Sequence, residues 1–305
     1  MVATEFLVAA DDGGKRLDDY LSPRLPLLSR TKMRVLIASG AVMRNGLPVN
    51  AGNRLRERDH VAVRWDPTKL PPLPPEPAEL DVLWEDAKLA AIHKPAGMLM
   101  HPTKGVKRGT LAGALLALWN PWLREDQLLE PEGCSVVWPH FVHRLDRETS
   151  GVVLVARNDA TARAMSSRFL QGEVCKEYLA ILDGEAPLGE VVVNKPIARV
   201  SEEAPHYCVH DDGVAAHSIV RVLSHSQGLS LALLRPITGR TNQLRIHTAH
   251  LGFPILGDTS YGASPALRLF LHAWSLRFPH PEDDREVRIS APVPESFLEF
   301  GFPAP

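Results

Sequence analysis

The sequence predicts an α+β protein in two parts: a small helix-helix-hairpin module, then a larger domain whose strands and helices follow no regular alternation. Three observations carry this. Six prolines crowd the stretch DPTKLPPLPPEP at 66–77, which can continue neither a helix nor a central strand and so marks a connector. Charge divides unequally about it. Residues 1–65 hold 11 lysines and arginines against 7 acids, a balance of +4, so within a net charge of −2 the remainder carries −6. Beyond the connector, runs of strand-like sequence follow one another with helices between them. The expected division is a module at 1–65, a connector at 66–78 and a main domain at 79–305.

The amino terminus, MVATEFLVAADDGGKR, places Asp11 and Asp12 before the first basic residue and holds no apolar segment long enough for a signal or a membrane span. Cys134, Cys175 and Cys208 are odd in number and far apart, which argues against a disulfide framework, so a reducing cytoplasm is expected. Leu17, Tyr20 and Leu21 lie at helical spacing. Ser29 then reads as the N-cap of a second helix, with Met33, Leu36 and Ile37 on one face and Gly40 as its stop. In AVMRNGLPV, Asn45-Gly46 suits the positive backbone angles of a tight hairpin. Arg30 and Arg34 are one helical turn apart, and Arg44 follows on the hairpin.

In the main domain, FVHRLDRETSGVVLVAR at 141–157 runs a dense polar loop into the apolar SGVVLVA, a buried strand. Asp146 stands between Arg144 and Arg147, and the Thr149 and Ser150 hydroxyls can hold the loop locally. Taken alone, an Asp between two Arg residues is more often an ordinary ion-pair loop than a site. DATARAMSSRFLQG reads as a helix capped by Asp159. VCKEYLAIL reads as a strand with Val174, Lys176 and Tyr178 on one face. GVAAHSIVRVL and LSLALLRPI form a hairpin about Ser226–Gly228, and a helix beginning near Asn242 carries Arg245 in its first turn.

Other chemistries find little support. No GxSxG elbow surrounds Ser150, which speaks against a Ser-His-Asp hydrolase. His93, His101, His140 and His143 lack HExxH or cysteine-pair spacing, and no glycine-rich nucleotide loop follows a strand, so neither metal nor cofactor is expected.

Residues 14–65, through RLDDYL, LSRTKMRVLIASGAV, RNGLPV and RERDHVAV, resemble the alpha-L RNA-binding module. HRLDRETSG at 143–151 closely resembles the central motif of the RluA family of pseudouridine synthases. LWEDAKLAAIHKPAGMLMHPT at 83–103, KEY at 176–178, the segment at 233–262 and RLFLHA at 268–273 match that family in the same order. The resemblance implies a mixed, largely antiparallel sheet with a central cleft and an isomerase that turns uridine into pseudouridine in structured RNA. Asp146 corresponds to the catalytic carboxylate, Tyr178 to the aromatic that stacks on the target base, and Arg245 to the basic partner of the carboxylate. Arg144 corresponds to the arginine that enters the RNA stack as the base flips. His143, Thr149 and Arg240, with Arg30, Arg34 and Arg44 of the module, are expected to touch RNA. Whether the carboxylate attacks sugar or base, or removes a ribose proton, stays open.

Ribosomal RNA of the large subunit is the first expectation for substrate and transfer RNA the second, with a monomeric enzyme and no membrane partner. The rival reading is a non-catalytic RNA-binding factor in ribosome assembly. Two positions depart from the family pattern: Asn242 where His is frequent, and Ser218 where Thr is frequent.

Overall fold

A computed structural model describes residues 2–25, 28, 30–66, 73–103, 105–124, 136–200 and 207–302. Ser29, Cys134 and connector positions 67–72 lie outside the described residues. The chain forms two compact units, Met1–Ala78 with Pro102–Trp138, and Glu79–His101 with Pro139–Pro305.

The first unit builds a four-stranded sheet in the order β1-β4-β2-β3, from β1 (Val2–Leu7), β2 (Val42–Arg44), β3 (Leu47–Pro48) and β4 (His60–Trp65). The β2–β3 hairpin turns through Asn45 at φ 52° and Gly46 at φ 80°, the left-handed pair that the Asn-Gly sequence favours. Helices α1 (Leu17–Arg24) and α2 (Arg30–Ala38) bury Leu17, Tyr20, Leu21, Met33, Leu36 and Ile37 against Val42, Val61, Val63 and Trp65. This is the helix-helix-hairpin arrangement that the spacing predicts. Two elements of the unit have no counterpart in the sequence reading: β1, antiparallel to β4, and α3 (Leu111–Trp119), whose N-cap Thr110 accepts from the Gly113 N–H at 3.2 Å.

The second unit is α+β, as predicted. Its strands are β5 (Asp81–Glu85), β6 (Leu89–Lys94), β7 (His140–Phe141), β8 (Ser150–Ala156), β9 (Cys175–Asp183), β10 (Gly189–Asn194), β11 (Ile197–Arg199), β12 (Tyr207–Val209), β13 (His217–Ser226), β14 (Leu229–Pro236), β15 (Leu271–Pro279) and β16 (Glu286–Ser290). Ten of them form one sheet with the path β10-β13-β14-β9-β15-β8-β6-β5, β7 adding to β8 and β16 to β15. Every pair is antiparallel except β15 with β8. Strand β8 is buried along its whole length, as an apolar run flanked by strands on both sides requires. The β13–β14 hairpin turns at Gln227 and Gly228, where the sequence places it.

Helix α4 (Asp159–Gln171) corrects one expectation. Its N-cap is Asn158, whose side chain accepts from the Thr161 N–H at 2.9 Å, and the expected cap Asp159 lies inside the first turn, where its charge meets the positive helix end. Helix α5 (Gln243–His250) follows β14, and α6 (Glu295–Leu298) lies near the end of the chain.

Candidate active site

The HRLDRETS loop joins β7 to β8 and is anchored by backbone bonds. Lys94 is fully buried, and its ammonium donates to the carbonyls of Pro95 (2.9 Å), Met98 (2.9 Å) and Arg147 (3.0 Å). Burial pulls its pKa down to about 8, so at neutral pH all three donors remain. The Gly97 N–H also donates to the Arg147 carbonyl (2.8 Å), and Arg147 returns a bond from Nε to the Gly97 carbonyl (3.0 Å). The Thr149 N–H closes a turn on the Asp146 carbonyl at 3.2 Å.

Behind the loop, Arg268 Nη2 donates to Ser150 Oγ (2.6 Å), which lies 2.8 Å from Nδ1 of buried His272. Burial holds the His272 pKa near 3, helped by His93 and Arg268, so the ring is neutral and Nδ1 can accept the serine proton. At Gly151, φ is +117°, and an added Cβ would lie 2.1 Å from the Ala273 carbonyl oxygen. Only glycine lets β8 approach β15 this closely.

The loop faces a cleft of about 610 Å³, lined also by the 236–245 segment, α4 and β9. Tyr178 and Lys176 project into it from β9, as the alternation predicts. Burial, then the Asp146 charge, pushes the Tyr178 phenol well above its ordinary pKa, so it is a neutral aromatic. Arg245 Nη1 lies 3.9 Å from Asp146 Oδ2. The same guanidinium is gripped by Asp258, Nε to Oδ2 at 2.6 Å and Nη2 to Oδ1 at 2.7 Å, and its Nη1 also reaches Asn242 Oδ1 at 3.2 Å. Burial opposes the Arg245 charge, but Asp258 outweighs it and the pKa stays above the ordinary value.

The structure thus brings Asp146, Tyr178, Arg245, Arg144, His143, Thr149 and Arg240 to one cleft. They differ in availability. Arg144 is exposed, and Arg240 is exposed with Nε on the Ala215 carbonyl at 3.1 Å. Thr149 is buried. His143 accepts the Leu154 N–H at Nε2 (2.8 Å) and stacks on Phe169, with centroids 5.0 Å apart. Burial and then Lys176 bring its pKa to about 3, so it acts as a fixed neutral wall. Arg30, Arg34 and Arg44 belong to the other unit. There Arg30 pairs with Asp19, Arg34 with Asp18 at 3.1 Å, and Arg44 with Asp59 at 3.6 Å.

Sequence reasoning missed Asp258, although its GDTSYG segment lay inside a quoted motif. Gly257 signals it: φ is +83°, and an added Cβ would sit 2.0 Å from the Arg268 carbonyl oxygen. Both departures from the family pattern have partners. Asn242 sits at φ 53°, a conformation Asn tolerates, and its Nδ2 donates to Tyr261 Oη at 3.2 Å. Ser218 is buried, taking a bond from Gln243 Nε2 and lying 2.9 Å from His247 Nδ1. Among the described residues no cluster of three or more His, Cys, Asp or Glu side chains is placed to hold a metal, and no helix is long and apolar enough to cross a membrane.

Residues 88–250, more than half of the chain, match the family model for RNA pseudouridylate synthase. The chain belongs to that family. As a pseudouridine synthase it is an isomerase that modifies RNA. It is 30% identical to an RNA pseudouridine synthase of Bacillus subtilis (strain 168) described as uncharacterized, YlyB, over 97% of this chain and 96% of that protein. It is 33% identical to the ribosomal large subunit pseudouridine synthase D of Xanthomonas campestris pv. campestris, over 92% of this chain and 86% of that one. The corresponding figures for synthase D of Escherichia coli O157:H7 are 30%, 96% and 91%. These relatives agree with the RluA-type resemblance of the motifs. Among solved structures, human RNA Pseudouridylate Synthase Domain Containing 1 aligns with a TM-score of 0.57 at 28% identity, over 71% of this synthase and 86% of that chain.

Proposed function

We propose that this synthase isomerises specific uridines in large-subunit ribosomal RNA, with the Asp146 carboxylate acting on a uridine flipped into the cleft. The observation that carries the reading is the juxtaposition of Asp146, Arg245 and neutral Tyr178 around one cavity of nucleoside size. The reaction breaks the bond from ribose to base nitrogen, turns the base and rejoins it at carbon 5, which gives up its proton while the freed nitrogen takes one, with no redox step. The atoms concerned are out of reach inside a stack, so the base must leave it. Tyr178 offers the platform on which the flipped base lies. Exposed Arg144, beside the carboxylate, fills the space the base leaves. Arg245 orients the Asp146 oxygen and balances its charge, while the Lys94 and Ser150 anchors hold the loop.

Charge supports RNA as the substrate. The cleft lining carries Arg144, Lys176, Arg240 and Arg245 against one carboxylate, Asp146, within a protein of net charge −2. The basic module of residues 1–65 docks the RNA backbone ahead of the 66–78 connector and the catalytic domain at 79–305. Ribosomal RNA is favoured because relatives named as large-subunit synthases match over nearly their whole length.

The test is pseudouridine mapping of total RNA, by carbodiimide labelling and reverse-transcriptase stops, in cells lacking the protein and complemented with wild type or Asp146→Asn. Sites in large-subunit ribosomal RNA should vanish in the deletion and return only with wild type. Sites confined to transfer RNA would overturn the substrate. Equal rescue by the Asn variant would overturn the mechanism and favour a non-catalytic assembly factor.

A further inference from the structure

Three arginines in the cleft have evident work, but the fourth cation, Lys176, does not. Its side chain leaves β9 on the Tyr178 face and enters the same cavity. No carboxylate among the described residues comes within ion-pairing reach of it. The Phe169 ring stands beside it, with the ammonium 5.9 Å from the centroid, the outer limit of a useful cation–π contact. The side chain is half-buried, and burial draws its pKa below the ordinary lysine value. A partly desolvated cation facing no carboxylate is unfavourable, and a cleft that retains one is prepared for an anion.

The opposite wall supplies a second observation. The ammonium points toward the 238–240 turn, where an added Cβ on Gly239 would lie 4.0 Å from Nζ. Gly239 does not have a left-handed backbone, so its glycine is not demanded by conformation. What the missing side chain provides is clear space in front of the ammonium. Tyr178 lies two residues along the strand on the same face, roughly 6.6 Å away by strand geometry. That is the reach of one nucleotide from its base to its backbone.

We propose that Lys176 binds a backbone phosphodiester beside the target uridine, holding the sugar-phosphate against the cleft wall while the base lies on Tyr178. The inference rests on the synthase reading and adds to it the group that grips the RNA backbone at the reacting nucleotide. A compact ammonium suits this, since it attracts a phosphate as a point charge without imposing a planar geometry.

The experiment uses the full-length protein and a synthetic RNA segment carrying the mapped uridine. The segment is made with an ordinary backbone, with one uncharged methylphosphonate 5′ or 3′ of that uridine, or with one at a distant linkage. Affinity by fluorescence anisotropy and single-turnover isomerisation are both measured. Lys176→Met should lose about tenfold or more on native RNA. It should lose little further on RNA neutralised at the contacted linkage, and its slope of log affinity against log salt should fall by roughly 0.7. Lys176→Arg should restore most of the affinity, and Gly239→Val, which fills the gap, should imitate the loss. Wild type should be weakened by one of the two flanking methylphosphonates and not by the distant one. Wild type indifferent to both flanking substitutions would overturn the proposal, even if the Met variant failed to fold. So would a Lys176→Met defect of equal size on native and on both flanking-neutral RNAs. RNA that binds without turning over would instead sink the synthase reading and leave the phosphate contact readable from affinity.

Discussion

Arg245 answers to two carboxylates, and their geometry assigns them different work. Asp258, its side chain only 1% exposed, takes the Nε and Nη2 edge in a two-bond grip, while Asp146 meets Nη1 at 3.9 Å. Asp258 is therefore a positioning residue that aims the guanidinium. Asp258→Asn keeps the shape but loses the charge and one acceptor, leaving Arg245 free to swing onto Asp146. Turnover should fall about 100-fold, the scale of a misplacement near 1 Å, with RNA affinity little changed. Single-turnover rates alongside equilibrium binding would check this; a parallel loss of both would make Asp258 a binding residue instead. Asp146, Tyr178 and Arg245 were marked in the sequence only through the family resemblance of HRLDRETSG, KEY and the 233–262 segment, and the structure gathers them at one cleft. Asp258 lay in that same segment beside Gly257 but was passed over, because its role lies in a guanidinium 13 positions earlier in the chain. His143 shows the opposite limit: the motif marks it, and the structure gives its Nε2 to a backbone N–H of β8.

At the scale of elements, periodicity and turn chemistry carried most of the information. Strand β8, the two hairpin turns and the buried faces of α1 and α2 follow from local pattern, since burial and positive φ select residue types directly. Strand β1 did not stand out, because its inward Thr4 and Phe6 are only half-buried and apolar Leu7 lies on the exposed face, and the cap of α4 shifted by one because Asn158 and Asp159 are both competent caps. Pairing between strands distant in sequence was not legible, yet it builds the site: β15 lies between β8 and β9, setting His272 beside Ser150 and Ala273 beside Tyr178. Gly151→Ala should break this junction, its Cβ driven into the Ala273 carbonyl at a positive φ, and destabilise by more than about 3 kcal/mol. Urea unfolding would measure it. In the first unit, Asp18 has no exposed side-chain surface and is held by Arg16 and Arg34. Burial raises its pKa but the arginine bonds more than reverse this, so Arg34→Gln should cost about 1 kcal/mol of stability whatever it does to RNA binding.

For the whole molecule, the buried histidines set the acid limit. His272 is fully buried and His143 is the wall of the cleft, and both are held near pKa 3, far below the ordinary 6.5, chiefly by burial. His101 and His247 are lowered in the same direction. In the unfolded chain these rings protonate as pH falls through about 6.5. In the folded protein His143 and His272 stay neutral down to about 3, so between these limits the unfolded state binds more protons. Stability therefore rises with pH across that window. The contribution is fully present above the unfolded pKa and is lost as pH falls toward 3, at about 1.4 kcal/mol per pH unit for each fully buried ring. Asp12, Asp18, Asp59 and Asp86 have pKa values lowered from the ordinary 3.8, outside the range from pH 6 to 4.5, so that range separates the histidine effect from theirs. Urea unfolding at pH 7, 6, 5 and 4.5 should give a stability that drops steadily with acid. His272→Asn should flatten the slope by about 1.4 kcal/mol per pH unit, even though it lowers stability at pH 7 by removing the partner of Ser150. An unchanged slope in that variant would mean that His272 is protonated in the folded protein, and the neutral ring that receives the Ser150 proton behind the HRLDRETS loop would have to be abandoned.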